Sequence, residues 1–495
     1  MKNKNFFLSL LASMEMHENK VALSGEVEKP LTYRDLINFA FSYSEQFDEL
    51  GANPGDRILV QMEKSTEALL IYLACLIKGL IYVPLNISYQ DSEIKYFFDN
   101  SEPQFVVGDD CSFKRLKSLL GKNPGVVFIN TRYLETKRSS TSNKCLQHRN
   151  SSDIASLIYT SGTTGLSKGA MITHGSLLTN AQNLVSIWRM RNSDRLLHVL
   201  PIFHIHGLFI ALHTALLVGC EIIWLRKFSV SKILSCLNRT TIFMGVPTYY
   251  SRLIASNKLK KDHYSNVRVF ISGSAPMSEN LHKQFTALTK KVIVERYGMS
   301  EAGIITSNRL DGEVKVGSVG KAVGDYKLKI TNQQKKSTTD GDIGEIHIKG
   351  GSLFSGYWKS PEKSEQAFSD QGWFKTGDLG FIDEYGYLTI VGRKSDLIIS
   401  GGYNVYPAEI EEVIQKSKLV VDVAVIGAPD DDLGEIVVAF IVLDEEKKID
   451  QKTLLRFLRS TIADYKVPKK IIIIKEIPKN VMGKTQKNIL RKRFL

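Results

Sequence analysis

Short apolar runs alternate with amphipathic segments of helical period along most of the chain. Residues 57–62 and 81–85 are predicted to be strands, and residues 65–78 between them are predicted to be a helix. Strand-like runs recur later, with helical segments between several of them, at residues 154–159, 221–225, 241–245, 267–272 and 292–297. Such alternation is typical of βαβ units. The pattern therefore predicts an α/β fold whose sheets are rich in parallel strands.

The pattern changes towards the C-terminus. From Val314 onwards the chain is richer in strand-like segments, which indicates a β-rich subdomain. After Arg393, a region of small-domain size carries its own predicted helix at residues 407–416 and strands at 421–426 and 436–443. We therefore predict two domains: residues 1–392, and a small, mobile α+β domain of residues 393–495.

Targeting signals and cysteines change this picture little. Basic residues precede a short apolar stretch at the start, but Glu15, Glu18 and Lys20 follow without a small-residue cleavage site, so an amphipathic first helix is predicted. No apolar run approaches the ~18–20 residues of a membrane span. The 5 cysteines are scattered without metal-ligand spacing. A cytoplasmic protein without a membrane span is expected.

The net charge of +13 on 495 residues raises the question of nucleic-acid binding. Lysines are dispersed among acidic residues, and no helix-turn-helix, RNA-recognition or zinc-finger pattern accompanies them. Polyanionic small substrates would benefit from the same positive field. Nucleic-acid binding is not predicted, and it remains the alternative from outside the enzymes.

A Gly-, Ser- and Thr-rich loop follows the apolar run of residues 154–159. Backbone N–H groups, hydroxyls and an ammonium around one concavity suit a phosphate chain. A Walker loop would have Ser or Thr after its lysine, but Gly169 occupies that position, so the loop is of another kind. A flexible linker would not normally stand between a strand and a helix. The predicted phosphate contacts are Thr160, Ser161, Gly162, Thr163, Thr164, Gly165 and Lys168.

Three further motifs carry candidate chemistry, and the first two of them follow predicted strands. Tyr297 stands before a glycine, which lets its ring lie flat on a planar base, and the hydroxyl of Ser300 and the carboxylate of Glu301 could hold phosphate and Mg²⁺. The small residues from Ser272 to Pro276 allow close approach of a ligand to the backbone. Asp378 lies among glycines and could accept both hydrogen bonds of a ribose diol, although Gly-Asp is also common in turns.

Taken in order, these motifs resemble the adenylate-forming acyl-CoA synthetase superfamily, which includes acyl-CoA ligases, luciferases and adenylation domains. The resemblance extends from near the N-terminus to Lys484 and implies ATP, Mg²⁺ and coenzyme A. It implies that Tyr297 lies on adenine, that Ser300 contacts phosphate and that Glu301 holds the metal. By the same resemblance, Asp378 and Arg393 hold ribose, while Ser272, Gly273, Ser274 and Ala275 form a wall of the adenine and acyl pocket.

The resemblance also implies a two-step mechanism with a domain rotation between the steps. Lys484 would bridge the substrate carboxylate and the α-phosphate during adenylation. The small domain would then rotate, and the loop at Gly401 and Gly402 would line the tunnel of the pantetheine arm. Relatives carry Asp or Lys at the hinge, where this chain has Ser395.

Two arginines bear on the identity of the acid. Arg296 and Arg252 lie in segments that the family brings to the acyl pocket, where an unpaired guanidinium would be costly and a second carboxylate would pair with it. With residues 200–209 and 295–299, they make the chain resemble the malonyl-CoA synthetases, so malonate is the expected acid. His204 and His206 are expected to contact the substrate, since no third metal ligand accompanies them.

Alternatives within the enzymes remain open at this point. The apolar residues after Glu301 leave medium-chain or aromatic acids as substrates. A stand-alone adenylation enzyme could load a carrier protein instead of coenzyme A, and the motifs do not distinguish a luciferase-like oxidation of the adenylate.

Overall fold

The computed structural model describes residues 2–139, 144–160, 167–312, 314–331, 341–417, 419–443 and 451–494. Within these ranges the strands are β1 (Val21–Gly25), β2 (Leu31–Thr32), β3 (Arg57–Gln61), β4 (Ile81–Pro84), β5 (Phe105–Gly108), β6 (Val127–Asn130), β7 (Ile154–Thr160), β8 (Lys168–Thr173), β9 (Arg195–His198), β10 (Glu221–Trp224), β11 (Ile242–Gly245), β12 (Val269–Ser272), β13 (Ile293–Met299), β14 (Gly303–Ser307), β15 (Lys321–Ala322), β16 (Lys327–Thr331), β17 (Gly344–Lys349), β18 (Phe374–Ile382), β19 (Leu388–Arg393), β20 (Ile398–Ser400), β21 (Tyr403–Val405), β22 (Val420–Asp430), β23 (Gly434–Leu443) and β24 (Lys470–Ile473).

The α-helices of the same ranges are α1 (Phe6–Met16), α2 (Tyr33–Glu49), α3 (Thr66–Lys78), α4 (Asp91–Ser101), α5 (Asp110–Leu120), α6 (Thr131–Thr136), α7 (His174–Ile187), α8 (His213–Val218), α9 (Val230–Leu237), α10 (Pro247–Ala255), α11 (Lys261–Tyr264), α12 (Glu279–Thr289), α13 (Pro361–Ala367), α14 (Pro407–Lys416), α15 (Gln451–Thr461) and α16 (Lys487–Phe494). A π-helix spans His206–Leu212. Among these helices, none combines the length and the apolar character that a membrane crossing requires.

Two large sheets carry most of the N-terminal part of the chain. The first has the order β6-β5-β3-β4-β7-β8 and is parallel except for the β7–β8 pair. The second has the order β15-β14-β13-β12-β11-β9-β10-β1-β2, and its strands from β1 to β13 are parallel apart from β2. The predicted α/β fold with sheets rich in parallel strands is confirmed.

Local sequence explains why the predicted elements form. Helix α3 begins at an N-cap, Ser65, whose side chain accepts the N–H of Ala68, and it ends before Gly79, which takes a left-handed φ of 73°. Its apolar residues from Ala68 to Ile77 are all buried, because the helix is covered on every side. Helix α3 and apolar residues of both large sheets belong to one hydrophobic core.

The remaining strands form two smaller sheets within the described residues. Strands β16 to β19 make an antiparallel sheet, which is the predicted β-rich subdomain. Strands β20 to β24 and helix α14 form the C-terminal unit, with its own apolar clusters. An α+β C-terminal domain is therefore confirmed, whereas its boundary near Arg393 and its mobility stay predictions.

Parallel strands of the nine-stranded sheet end along one edge. Strands β11, β12 and β13 are neighbours in this sheet; β11 and β12 end directly before Val246 and Gly273, and Tyr297 lies in the last part of β13. Ligands of open α/β sheets bind in the crevice outside the carboxyl ends of the strands. This edge therefore positions the candidate site.

Candidate active site

A carboxylate, a phenol and a guanidinium meet where the antiparallel sheet approaches β13. Asp378 and Arg393 are opposite each other in the β18–β19 pair, and Arg393 Nε lies 2.7 Å from Asp378 Oδ1. The Tyr297 hydroxyl donates to Asp378 Oδ2 at 2.5 Å. Burial raises the pKa of Asp378, and the charge of Arg393 offsets this only in part. The structure thus brings together the residues predicted to contact adenine and ribose.

Glu301 is a buried carboxylate on the same side of the site. It is 6% exposed, and its Oε1 accepts hydrogen bonds from Thr160 Oγ1 at 3.3 Å and from the Tyr357 hydroxyl at 3.1 Å. Burial alone would lower the pKa of Arg393, but Asp378, Tyr297 and Glu301 raise it overall. The predicted metal ligand therefore lies close to the predicted ribose contacts.

The surroundings of Glu301 fit Mg²⁺. This ion binds proteins through one or two carboxylates and takes further oxygens from phosphates and water. Within the described ranges, no group of three or more His, Cys, Asp or Glu side chains could hold a metal ion. Both side-chain hydrogen bonds described for Glu301 end on Oε1, which leaves Oε2 outside them. Metal binding by Glu301 stays a prediction that this arrangement permits.

The predicted phosphate loop falls only partly within the described residues. Thr160 and Lys168 are opposite each other in the β7–β8 pair, so they mark the two ends of the loop. Lys168 Nζ lies 5.0 Å from the centre of the Tyr357 ring. Both ends of the loop are therefore close to the Glu301 carboxylate and its partner. The loop residues outside the described ranges are Ser161, Gly162, Thr163, Thr164 and Gly165.

Lys484 is carried by a tight turn of the C-terminal unit that contacts helix α10. The backbone N–H of Lys484 donates to Asn480 Oδ1 at 3.0 Å, and Gly483 takes a left-handed φ of 75°. A Cβ atom on Gly483 would lie 3.0 Å from the Thr248 side chain, so the turn packs closely on the start of α10. Met482 is 3% exposed and belongs to the main core. These contacts fix Lys484 against the N-terminal part.

Charged side chains surround the Lys484 ammonium. Lys484 keeps exposed surface as a whole residue, but protein replaces much of the water around its amino group. This desolvation and the charge of Arg393 lower the pKa of Lys484, while Asp378, Asp396 and Glu301 act in the opposite direction. The ammonium is therefore within electrostatic reach of both predicted subsites, that of the nucleoside and that of the metal.

Arg296 is a buried cation with unused hydrogen-bonding capacity. It is 5% exposed, and neither Nε nor Nη2 has a partner among the residues that the structure describes. Burial lowers the pKa of Arg296 to about 9. The guanidinium lies on the backbone of Gly273, where a Cβ atom would approach Arg296 Cζ to 2.4 Å. Because an unpaired buried charge is costly, the arrangement indicates a site for an anion.

Further polar groups lie around this guanidinium. His206 is buried, its Nδ1 lies 3.1 Å from Ser274 Oγ, and its Nε2 has no partner in the described part of the chain. The buried hydroxyl of Ser272 likewise has no hydrogen-bond partner in the described part of the chain. Ser274 adopts a left-handed φ of 70°, a conformation that costs a non-glycine residue about 1–2 kcal/mol. Such strain is commonly kept at ligand sites.

His204 is within electrostatic reach of both Arg296 and Lys484. Burial lowers its pKa to about 4, and the charges of Arg296 and Lys484 act in the same direction. Burial and the charge of Arg296 also lower the pKa of His206. Both imidazoles are therefore neutral at neutral pH, and Arg296 is the cation of this pocket.

The role predicted for Arg252 stays a prediction, and the structure places this residue on the exposed face of helix α10. Tyr250 and Leu253 take the buried face of α10, which leaves Arg252 exposed, with its guanidinium 5.6 Å from the Phe228 ring centre. Arg252 is not part of the polar cluster around Arg296. Of the two arginines, Arg296 is the one that the structure buries.

Four other predicted residues lie at the margin of the cleft or away from it. Ala275 is half-buried in the connection between β12 and α12, and half-buried Ser300 lines a small cavity of about 20 Å³. Gly402 is exposed at the tip of the β20–β21 hairpin, and a Cβ atom there would meet no described atom within 4 Å. Gly401 shares this exposed tip. The structure therefore does not bring the two glycines to the cleft.

A cavity of about 820 Å³ adjoins the acid pocket. Phe203, which directly precedes His204, lines one side, and Val481 lines another from the turn that carries Lys484. Tyr82, Phe228 and Tyr249 add aromatic walls. This volume is within the range of about 300–1,000 Å³ that is usual for small-molecule sites. The cavity has room for a second substrate beside the acid.

Sequence reasoning misses several residues of the site. Tyr357 contacts Glu301, and its only local signal is an aromatic residue beside a glycine, as at Tyr297. Thr248 and Met482 carry no local signal, because their contacts join segments that are far apart in the sequence. Such contacts become visible only when the fold is known.

Comparisons with known proteins match both parts of the chain. A family model described as AMP-binding enzyme matches residues 10–358, and one described as AMP-binding enzyme C-terminal domain matches residues 409–484. A long-chain-fatty-acid–CoA ligase of Bacillus subtilis (strain 168) is 30% identical, over 100% of this chain and 94% of the relative. A malonate–CoA ligase of Arabidopsis thaliana is 31% identical, over 91% of this chain and 80% of the relative.

Among solved structures, ATP-bound MatB from Rhodopseudomonas palustris matches with a TM-score of 0.96 at 40% identity, over 100% of this chain and 99% of that chain. The apo structure of the same protein, at the same identity and coverage, gives a TM-score of 0.84. The arrangement described above is therefore more similar to the ATP-bound form than to the apo form.

Proposed function

Because this chain belongs to the family of AMP-binding enzymes and is an acid–thiol ligase, we propose that it converts malonate to malonyl-CoA. The predicted resemblance to adenylate-forming acyl-CoA synthetases is confirmed by the family models and the relatives. A carboxylic acid, ATP and CoA fit the substrates of such ligases. The identity of the acid is the part that we propose.

The unpaired guanidinium of Arg296 is the observation that carries the malonate proposal. Its Nε and Nη2 are parallel donors in a fixed fork, which a second carboxylate can engage with both oxygens. The methyl end of a fatty acid would leave the same buried charge without a partner. His206 Nε2 and Ser272 Oγ add further capacity for polar groups. A short dicarboxylic acid therefore satisfies this pocket better than an apolar chain.

We propose that adenylation takes place beside Lys484. The other carboxylate of malonate is ionised at neutral pH, so it can attack the α-phosphorus of ATP without a general base, and pyrophosphate leaves. The Lys484 ammonium would stabilise the negative charge that develops on the α-phosphate. Asp378 and Arg393 would hold the ribose. Mg²⁺, held by Glu301, would neutralise charge on the phosphates.

In the second step, the thiol of CoA attacks the carbonyl carbon of the adenylate, and AMP leaves. We assign the cavity of about 820 Å³ to the pantetheine arm, because Phe203 connects it to His204 and the acid pocket. The hairpin tip with Gly401 and Gly402 would reach this cavity after a rotation of the C-terminal unit about the segment near Ser395. The domain boundary at Arg393 and a cytoplasmic location belong to the same proposal.

The test is acid-dependent exchange of pyrophosphate into ATP, followed by detection of the CoA thioester. The acids compared are malonate, methylmalonate, acetate, octanoate and coumarate at equal concentration. We expect malonate to give the highest kcat/KM and malonyl-CoA as the product. Octanoate or coumarate performing as well as malonate would contradict the assignment of the acid but leave the ligase class intact. Exchange without thioester formation would indicate a carrier protein as the acceptor.

A further inference from the structure

A lysine and a histidine are buried between the two large sheets, and the lysine, Lys64, also lines the cavity of about 820 Å³. Lys64 is 8% exposed, and its Nζ lies 2.7 Å from His198 Nδ1, 2.9 Å from His198 O and 2.7 Å from Leu225 O. Nζ also lies 4.1 Å from the centre of the Trp224 ring. His198 ends β9, and Leu225 directly follows the adjacent strand β10. Lys64 therefore connects both strand ends to the segment between β3 and α3.

The hydrogen-bond pattern determines the protonation states of this pair. His198 Nε2 lies 2.9 Å from the carbonyl oxygen of Gly207, which can only accept, so Nε2 carries the hydrogen. The neutral ring then accepts at Nδ1, and Lys64 must donate to it as well as to two carbonyls. Three donated hydrogen bonds require the ammonium form, although burial lowers the pKa of Lys64. Lys64 is therefore a buried cation. Its hydrogen-bond partners among the described residues are His198 and Leu225.

The bond from His198 leads to the segment that carries the acid pocket. Gly207 lies in the π-helix His206–Leu212, and such helices are frequent at functional sites. The N–H of Gly207 donates to His204 O at 3.1 Å, and a Cβ atom on Gly207 would approach Pro201 O to 2.2 Å. His206, the preceding residue, contacts Ser274 beside Arg296. The orientation of the His198 ring therefore fixes where residues 204–207 lie.

We propose that Lys64 and His198 are positioning residues for acid recognition. Lys64 holds the His198 ring, His198 holds the carbonyl of Gly207, and this chain of contacts places His206 beside Arg296 so that both meet the second carboxylate. The inference rests on the proposed diacid substrate. Its consequence is that Lys64, a residue outside the acid pocket, contributes to the preference for diacids over monoacids.

The test compares kcat/KM for malonate and for propionate, which lacks the second carboxylate, in pyrophosphate exchange. We expect Lys64→Met to lower the malonate-to-propionate ratio by roughly tenfold or more, since small displacements of positioning groups have effects of this size. The KM for ATP should stay at the wild-type value. Lys20→Met is the matched control, because Lys20 also donates to two backbone carbonyls, those of Asn192 and Gly219, away from the acid pocket. This control should keep the wild-type ratio.

Two variants of His198 give a second test without removal of the buried charge. Gln places an amide N–H near the position of Nε2, whereas Asn is too short to reach the Gly207 carbonyl. His198→Gln should therefore retain most of the malonate preference, and His198→Asn should lose it. Equal losses for malonate and propionate in Lys64→Met, or a better ratio with Asn than with Gln, would overturn the proposal. A wild-type enzyme without malonate preference would instead refute the proposed acid, and this inference with it.

Discussion

Replacement of Arg296 by methionine removes the guanidinium that we assign to the second carboxylate. Methionine retains an unbranched side chain, so the space beside Gly273 stays largely filled. Because Arg296 is buried and lacks partners at Nε and Nη2, the loss affects a bound diacid far more than the unliganded protein. Removal of an unpaired buried charge is expected to leave the melting temperature unchanged or higher.

The magnitude follows from the two open donors. Hydrogen bonds to charged groups contribute about 1.5–3 kcal/mol each, so two of them amount to about 3–6 kcal/mol. At about 1.4 kcal/mol for each factor of ten, Arg296→Met should lower kcat/KM for malonate by roughly 10²- to 10⁴-fold. The same substitution should leave propionate unchanged or slightly better, since this acid has no group that pairs with Arg296.

Pyrophosphate exchange with each acid, at saturating ATP, measures this difference. Arg252→Met is the matched control, because it removes an exposed guanidinium and should leave both acids at wild-type rates. Equal losses for malonate and propionate in Arg296→Met would refute the reasoning. So would a loss of malonate activity in Arg252→Met as large as that in Arg296→Met.

Three further predictions address other parts of the account. Lys484→Met should lower pyrophosphate exchange by roughly 10²- to 10³-fold but leave thioester formation from supplied malonyl-adenylate nearly intact; equal losses in both assays would contradict the two-conformation mechanism. Ile87 lines the cavity of about 820 Å³, so Ile87→Trp should raise the KM for CoA and not that for malonate; an unchanged KM for CoA would contradict the assignment of this cavity. Burial raises the pKa of Glu295 from 4.5 to about 8, so the stability that its neutral form contributes is complete below pH 4.5 and is lost as the pH rises to about 8. Glu295→Gln should flatten the fall in melting temperature between pH 5 and 8, and an unchanged slope would contradict this.

Residues next to strand ends were predictable from the sequence. Tyr297 is predicted from a motif that follows a strand-like run and Asp378 from an acid between glycines, and the structure brings the two to a 2.5 Å contact. The helix of residues 407–416 agrees with α14, because Pro407 at its start and a regular apolar period define it locally. Strand β8 could not be predicted in this way, because it begins at Lys168, within the glycine-rich motif that is interpreted as a loop.

Other parts of the site depend on contacts that the sequence does not display. The apolar residues Tyr250 and Leu253, three positions apart, could have indicated that Arg252 lies on the opposite face of α10. Lys64 offers no such signal, because its acceptors are supplied by His198 and Leu225 at the ends of strands of another sheet. Long-range packing, not local propensity, determines which lysine is buried.

The central claim is that Arg296 recognises a second, charged carboxylate. Malonamate tests it most directly, because a neutral amide of nearly the same shape replaces that carboxylate while the reacting carboxylate is retained. With the wild-type enzyme, we expect kcat/KM for malonate to exceed that for malonamate by roughly 10²-fold or more, the value of the lost charge-assisted pairing. Equal kcat/KM values for the two acids would contradict the account.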